Sequence, residues 1–370
     1  MFESAMKNQI LSLPSFIGEQ FENLEPKTRE LFSTPEIFNV QKIILTGAGD
    51  SYSVALLAKY YIERFAKIPT EVVSAIDLGR NYVKDTLYFS PGSPVVIGIS
   101  NSGNVARVAE ALERTKRWGA FTIAVTSDVN SKVGKAANRH LLLDIPPMPS
   151  SPGVRSYYAG LLGVVLLAIR LGEVKAEITM DQAQAYREEL KNLTVNLTDI
   201  TETIDQVTPK WKLFDGFDFV GDGRDYCNVL YGSDKILEAT GKYSMYVNTE
   251  EWLHLNFFLR KNHDTGTILF LNRDNEGYSR ELEVLEYMKQ LERPTLLLTN
   301  NEEIKSTRNI VVLHFPKLVF GPLIEWVPLA LLASNVASAI GEEDGRGCKG
   351  EWSFAQNGTA VKSSKLQILG

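Results

Sequence analysis

The stretch Val95-Val96-Ile97-Gly98-Ile99-Ser100-Asn101-Ser102-Gly103-Asn104 joins an unbroken apolar run to hydroxyl, amide and glycine residues. Strands buried on both faces of a parallel sheet read as such runs, whereas half-solvated strands alternate. The polar residues beyond the run open a helix, whose unpaired N–H groups and positive dipole end suit an anion. Phosphate is the expected occupant.

Comparable runs lie on either side. Strands are expected at 42–46, 71–75, 94–100, 121–126 and 141–145, with helical periodicity over 52–65, 105–118 and 154–171. A second pass follows, with strands at 217–221, 267–271, 295–298 and 311–315 and helices at 226–239, 278–290 and 322–340. Strands alternating with helices in this way predict an α/β fold of two doubly wound, flavodoxin-like parallel sheets in tandem. The two passes align: Gly47-Ala48-Gly49 with Gly221-Asp222-Gly223, Ser100 with Asn272, and Thr126 with Thr299. An offset that stays near 173 residues indicates duplication.

The domain expectation follows from these landmarks. Residues 1–37 form a helical segment with a loop at Thr34-Pro35, 38–175 the first domain, 176–209 a connecting helix stopped by Thr208-Pro209, 210–345 the second domain, and 346–370 a tail or lid. The halves diverge where an anion would bind. Asn272-Arg273-Asp274-Asn275 replaces Ser100 to Gly103, and its aspartate would repel a phosphate, so one phosphate site is expected, in the first half.

Composition narrows the class. Of 370 residues, 44% are hydrophobic and the formal charge is −6, which argues against a nucleic-acid surface and for a small anionic substrate held by local geometry. Cys227 and Cys348 form no disulfide framework, which fits a cytoplasmic protein. No membrane role is expected, because the longest strongly apolar run, 159–169, is short. His140, His254, His263 and His314 show no metal-ligand spacing, so neither a metal nor another cofactor is expected.

Four motifs occur in order: Gly47-Ala48-Gly49-Asp50-Ser51, Ser100-Asn101-Ser102-Gly103, Gly153-Val154-Arg155-Ser156, and Gly221-Asp222-Gly223 followed by a helix bearing Lys235 and Glu238. Across residues 38–345 this pattern resembles the double sugar isomerase (SIS) domain, as in the isomerase portion of glucosamine-6-phosphate synthase and its stand-alone relatives. The resemblance implies that Ser100, Asn101, Ser102 and Gly103 hold a sugar phosphate, with a hydroxyl from Ser51. Gly49, Val154, Ser156 and Glu251 would line the sugar. The chain departs from the family at Val105 and Asp50, where threonines are usual; Asp50 is expected to cap its helix instead.

Interconverting an aldose and a ketose needs ring opening and then proton transfer between neighbouring carbons through an enediol, which calls for an acid and a carboxylate base. Glu238 matches the family's proton-shuttling glutamate, three residues beyond Lys235 on one helix face. Read without the family, that pair is a solvated ion pair. His254 matches the ring-opening histidine, which in relatives reaches the site of a neighbouring subunit, so a homodimer with a shared active site is implied. The usual glycine-proline after that histidine is replaced by Leu255-Asn256. Lys362 matches a C-terminal lysine that covers the sugar, beyond an insertion at 345–356. No glutamine-hydrolysing domain stands in this sequence, so a complete synthase is not expected. The expected activity is sugar-phosphate isomerase or amino-sugar-phosphate deaminase, the alternatives being a fructosamine-6-phosphate deglycase or a non-catalytic sugar-phosphate sensor.

Overall fold

The computed structural model describes residues 4–87, 90–343 and 359–369. Cys348 and the insertion at 345–356 lie outside the described residues, as does much of the expected 346–370 tail. The chain divides into two compact units, one of Ser15–Pro147, Arg155–Leu193 and Glu351–Gly370, the other of Met1–Pro14, Met148–Val154 and Thr194–Gly350.

In the first unit, α2 (Leu13–Glu30) and α3 (Thr34–Asn39) precede β1 (Lys42–Thr46), α4 (Asp50–Phe65), β2 (Thr70–Val72), β3 (Pro94–Ile99) and α5 (Ala106–Arg117). Then come β4 (Phe121–Thr126), α6 (Lys132–Ala136), β5 (Arg139–Leu142), α7 (Arg155–Val174), α8 (Met180–Lys191) and, near the end of the chain, α14 (Thr359–Lys362). All pairings in its five-stranded sheet are parallel, in the order β2-β1-β3-β4-β5. Every residue of β3 is buried, as its apolar run requires. Right-handed crossovers put α4 and α5 on opposite faces, since the chain leaves β1 toward one sheet edge and β3 toward the other. α5 and α6 cover Ile44, Val96 and Ala124 through Val108, Leu112 and Val133. On α7, a Cβ at Gly172 would meet the Phe65 carbonyl oxygen at 2.4 Å, so this glycine permits the close crossing of α4 and α7.

The second unit contains α1 (Ala5–Leu11), α9 (Leu197–Trp211), β6 (Gly216–Val220), α10 (Tyr226–Thr240), β7 (Tyr243–Val247), α11 (Thr249–His254), β8 (Thr265–Leu271), α12 (Tyr278–Gln290), β9 (Thr295–Thr299), β10 (Ile310–His314) and α13 (Val327–Ile340). Its parallel sheet runs β10-β9-β8-β6-β7, which in chain order is the same winding as the first. The expected fold class, two doubly wound parallel sheets, therefore holds. α1 packs on α13, with Ser4 Oγ 2.8 Å from Ser334 Oγ.

Several local expectations needed correction. Thr34-Pro35 starts α3 rather than a loop, because proline is accommodated in a helix's first turn and Ser33 and Glu36 form a capping box. The stretch 176–209 is two helices, broken at 193–196; Pro209 sits inside the last turn of α9, which ends two residues later at Trp211. Edge strand β7 was not anticipated from the sequence. α7 and residues 321–340 are long and apolar enough to cross a membrane, but about four-fifths of each is buried within the fold, as in core helices.

Candidate functional site

In a doubly wound sheet, ligands bind beyond the carboxyl ends of the strands where the winding reverses. In the first unit that point lies between β1 and β3, paired Thr46 to Gly98. The Gly47–Ser51 and Ser100–Asn104 segments both leave the sheet there. Gly49, at φ +56°, is the residue before α4, and a Cβ at Gly47 would meet the Ser51 carbonyl oxygen at 2.5 Å. Asp50 does not cap α4: Gly49 holds the cap position without a side-chain bond, and Asp50 lies in the first turn.

The second segment is a tight turn rather than a helix start. The Gly103 N–H donates to Ser100 O at 2.9 Å, the Asn104 amide donates to Ser102 O at 2.9 Å, and α5 begins only at Ala106. Gly103 is at φ +65°, and a Cβ there would lie 1.9 Å from Ser131 Oγ. Asn101 is fixed by Ser127, whose hydroxyl donates to Oδ1 at 2.5 Å and whose N–H donates to the Asn101 carbonyl at 2.9 Å. Ser100 is 3% exposed, and its Oγ has no hydrogen-bond partner among the described residues, nor do those of nearby Thr46 (Oγ1) and Ser53. Buried hydroxyls left unpaired are uncommon in folded proteins, and they suit a site that an acceptor-rich ligand completes.

The remaining first-unit candidates lie farther along the chain. Ser156 is half-buried in the first turn of α7. Lys362 ends α14, and its carbonyl accepts a hydrogen bond from the Lys132 ammonium.

In the second unit, Val154 is buried, and the carbonyl of Gly153 before it accepts from Tyr231 Oη at 2.7 Å. Lys235 is completely buried, its Nζ 5.2 Å from the Tyr231 ring centre, and it donates to Glu238, whose side chain is 48% exposed. The pair is thus half inside the fold, not the solvated pair expected without the family. His254 ends α11, 67% exposed, with Nε2 3.3 Å from Glu250 Oε1. Glu251 is exposed, and its N–H donates to the Asn248 cap at 2.8 Å. Among the described residues, no hydrogen bond or ion pair joins Glu238 to His254.

The second sheet's reversal point, between β6 and β8, is filled by its own side chains. Asn272 Nδ2 donates to Asp225 at 3.0 Å and to Glu325 at 3.1 Å, while Asn275 Nδ2 bonds Asp222 O at 2.8 Å and Asp225 at 3.1 Å. The Arg224 guanidinium reaches Asp274 at 2.7 Å. Burial, then repulsion from Asp225 and Asp222, pushes the Glu281 carboxyl up to about 10, against the pull of the Asn272 N–H and Arg224. Burial also raises Asp225 and Glu325. These side chains bond one another at the position that carries the 100–103 turn in the first sheet.

Because Glu281 stays protonated in the fold but ionises near 4.5 when unfolded, its contribution is complete below that pH and is lost as the pH rises toward about 10. Glu281→Gln, which keeps the neutral shape, is expected to stabilise the protein by ~1–3 kcal/mol at pH 8 and to leave pH 4.5 nearly unchanged. Urea unfolding at the two pH values checks this; equal pH slopes in the two proteins would show that Glu281 titrates normally.

Comparison with known proteins adds the family. The SIS domain profile matches residues 36–170, which span β1 to β5 and most of α7. Residues 36–170 form a SIS domain. The isomerizing glutamine–fructose-6-phosphate aminotransferase of Pyrococcus horikoshii is 25% identical over 350 residues, covering 93% of this chain and 56% of that protein. The chain spans about half the length of the curated relatives it matches, and it is homologous to their isomerase part. Among solved structures, the C-terminal domain of the Francisella tularensis glucosamine-fructose-6-phosphate aminotransferase superposes with a TM-score of 0.82 at 19% identity, covering 93% of this chain and 98% of that one. The Thermotoga maritima glucosamine-6-phosphate deaminase does so with a TM-score of 0.70 at 19% identity, covering 93% and 97%.

Within the SIS domain, the sequence reading missed Lys132, Arg107 and Glu110. Ser131 caps α6 directly behind Gly103, which puts the neighbouring Lys132 beside the 100–103 turn. Local sequence carries no signal for this, since the turn and α6 are about thirty residues apart.

Proposed function

We propose that the chain is a sugar-phosphate isomerase or an amino-sugar-phosphate deaminase. The observation that carries this reading is the buried, unpaired Ser100 hydroxyl in a glycine-dependent turn at the reversal point of a SIS sheet. Ser100, Asn101, Ser102 and the Gly103 backbone bind the phosphate, with Ser51 contributing from the first turn. Gly49, Val154, Ser156 and Glu251 contact the sugar. His254 opens the ring, and Glu238, held by Lys235, carries the proton between C1 and C2 through the enediol. In the deaminase direction the same proton transfer passes through an enolamine to an imine at C2; water adds to that carbon, the C–N bond breaks, and ammonia leaves a ketose phosphate. Lys362 meets the open chain. The working form is a homodimer in which His254 serves the neighbouring copy, free in the cytoplasm and acting on a small sugar phosphate without metal or cofactor.

Homology to the isomerase part of the aminotransferases supports the reaction class, and so does the deaminase among the structural neighbours. Glucosamine-6-phosphate, fructose-6-phosphate and fructosamine-6-phosphates are each incubated with the protein in D2O. The expected result is deuterium entry at C1 or C2 of at least one of them, followed by NMR, with ammonia released from the amino sugar if the chain is a deaminase. Amino-acid release from a fructosamine-6-phosphate would mark a deglycase. Tight binding without exchange would mark a sensor and overturn the catalytic reading.

A further inference from the structure

Residues 362–367 lie along the SIS domain as a strap, and each polar anchor is on α5, α6 or the turn at Asp77–Asn81. The Lys132 ammonium donates to Lys362 O. Arg107 Nη2 donates to Ser364 Oγ at 3.2 Å and to Lys365 O at 2.6 Å. The Gln367 N–H donates to Glu110 Oε1 at 2.6 Å, and Arg80 Nη1 donates to Gln367 Oε1 at 3.4 Å.

Glu110 is the centre of this arrangement. It is 0% exposed, Arg80 donates to its two oxygens at 3.0 and 3.1 Å, and Arg107 Nη2 lies 2.8 Å from Oε1. A carboxylate so deeply buried is tolerated only when its lone pairs are used, and here a backbone N–H 257 residues away helps to use them. Both helices that hold the strap also hold the 100–103 turn. α5 leaves that turn at Ala106, and α6 is fastened to it by the Val133 N–H, which donates to Gly103 O at 2.8 Å.

We propose that Glu110 is a positioning residue that couples the phosphate turn to the strap. By orienting Arg107 and receiving the Gln367 amide it docks residues 362–367, so that an anion held at Ser100–Gly103 orders the strap, and with it Lys362, through α5 and α6. The coupling rests on the phosphosugar reading; the docking does not.

Hydrogen exchange on the full chain tests it, with inorganic phosphate as the probe. In Glu110→Gln, exchange of the 363–367 amides should quicken about tenfold or more while β3 and β4 stay protected. Saturating phosphate should slow these amides in the native protein and leave them unchanged in the variant. For whichever sugar phosphate is turned over, kcat should fall while KM changes little, and Glu110→Asp should recover part of the loss. Should Glu110→Gln fail to fold, Arg107→Ala, which leaves Arg80 on the carboxylate, should free residues 364–367 in the same way. Unchanged strap exchange in both variants overturns the docking, and a native strap indifferent to bound phosphate overturns the coupling. A coupled strap with every sugar phosphate left unturned would instead count against the proposed reaction alone.

Discussion

Glu238→Gln is expected to lower turnover of the sugar phosphate by about 1,000-fold, the range in which a positioned general base contributes. Binding of the substrate should stay within about twofold, because glutamine keeps the shape and loses only the capacity to take a proton. The fold should survive. Glu238 is half exposed, and the glutamine oxygen still accepts the hydrogen bond from Lys235, which is the buried partner and the one that could not be left bare. Deuterium exchange at C1 and C2, followed by NMR, together with a dissociation constant from calorimetry, separates the two effects. Turnover at native rate in a folded variant would remove Glu238 from the chemistry.

The second large effect is expected at the 100–103 turn, the proposed phosphate site. Gly103→Ala forces a side chain onto a backbone at φ +65° and places its Cβ 1.9 Å from Ser131 Oγ and 2.7 Å from Thr126 Oγ1, so the turn and the start of α6 must part. Moving the turn by about an ångström should weaken phosphate-ester binding on the order of 100-fold, while strain costs ~1–3 kcal/mol of stability. Gly92→Ala is the control. Gly92 is also at positive φ, +79°, but a Cβ there would have no atom within 4 Å, so only the backbone preference is lost, on the order of 1 kcal/mol, and binding should hold. Calorimetry with a hexose phosphate measures both; equal losses in the two variants would show that the turn has no special place in binding.

Much of the fold was legible because the strongest elements announce themselves in apolar period. The expected strand at 121–126 and helix at 278–290 match β4 and α12 residue for residue. β7 was not legible for the opposite reason. Tyr243-Ser244-Met245-Tyr246-Val247 is an edge strand with only Val247 buried, so neither a continuous run nor a clean alternation marks it. At Thr34-Pro35 the signal was present but misread, since Ser33 and Glu36 stand three apart as a capping box does. The 100–103 segment could be placed at the end of β3 because strand, turn and helix are contiguous in sequence, although α5 starts only at Ala106. The strap could not, because Glu110 and Gln367 meet only through the tertiary fold, and nothing local to either residue marks the other as its partner.

The pairing of α1 with α13 carries a cost in time. Ser4 finds Ser334 330 residues later, and at about 5–20 residues per second a ribosome needs roughly 15–65 s to supply that partner. For that interval α1 lacks its α13 partner, and its apolar residues Met6 and Ile10 are a natural client for a chaperone.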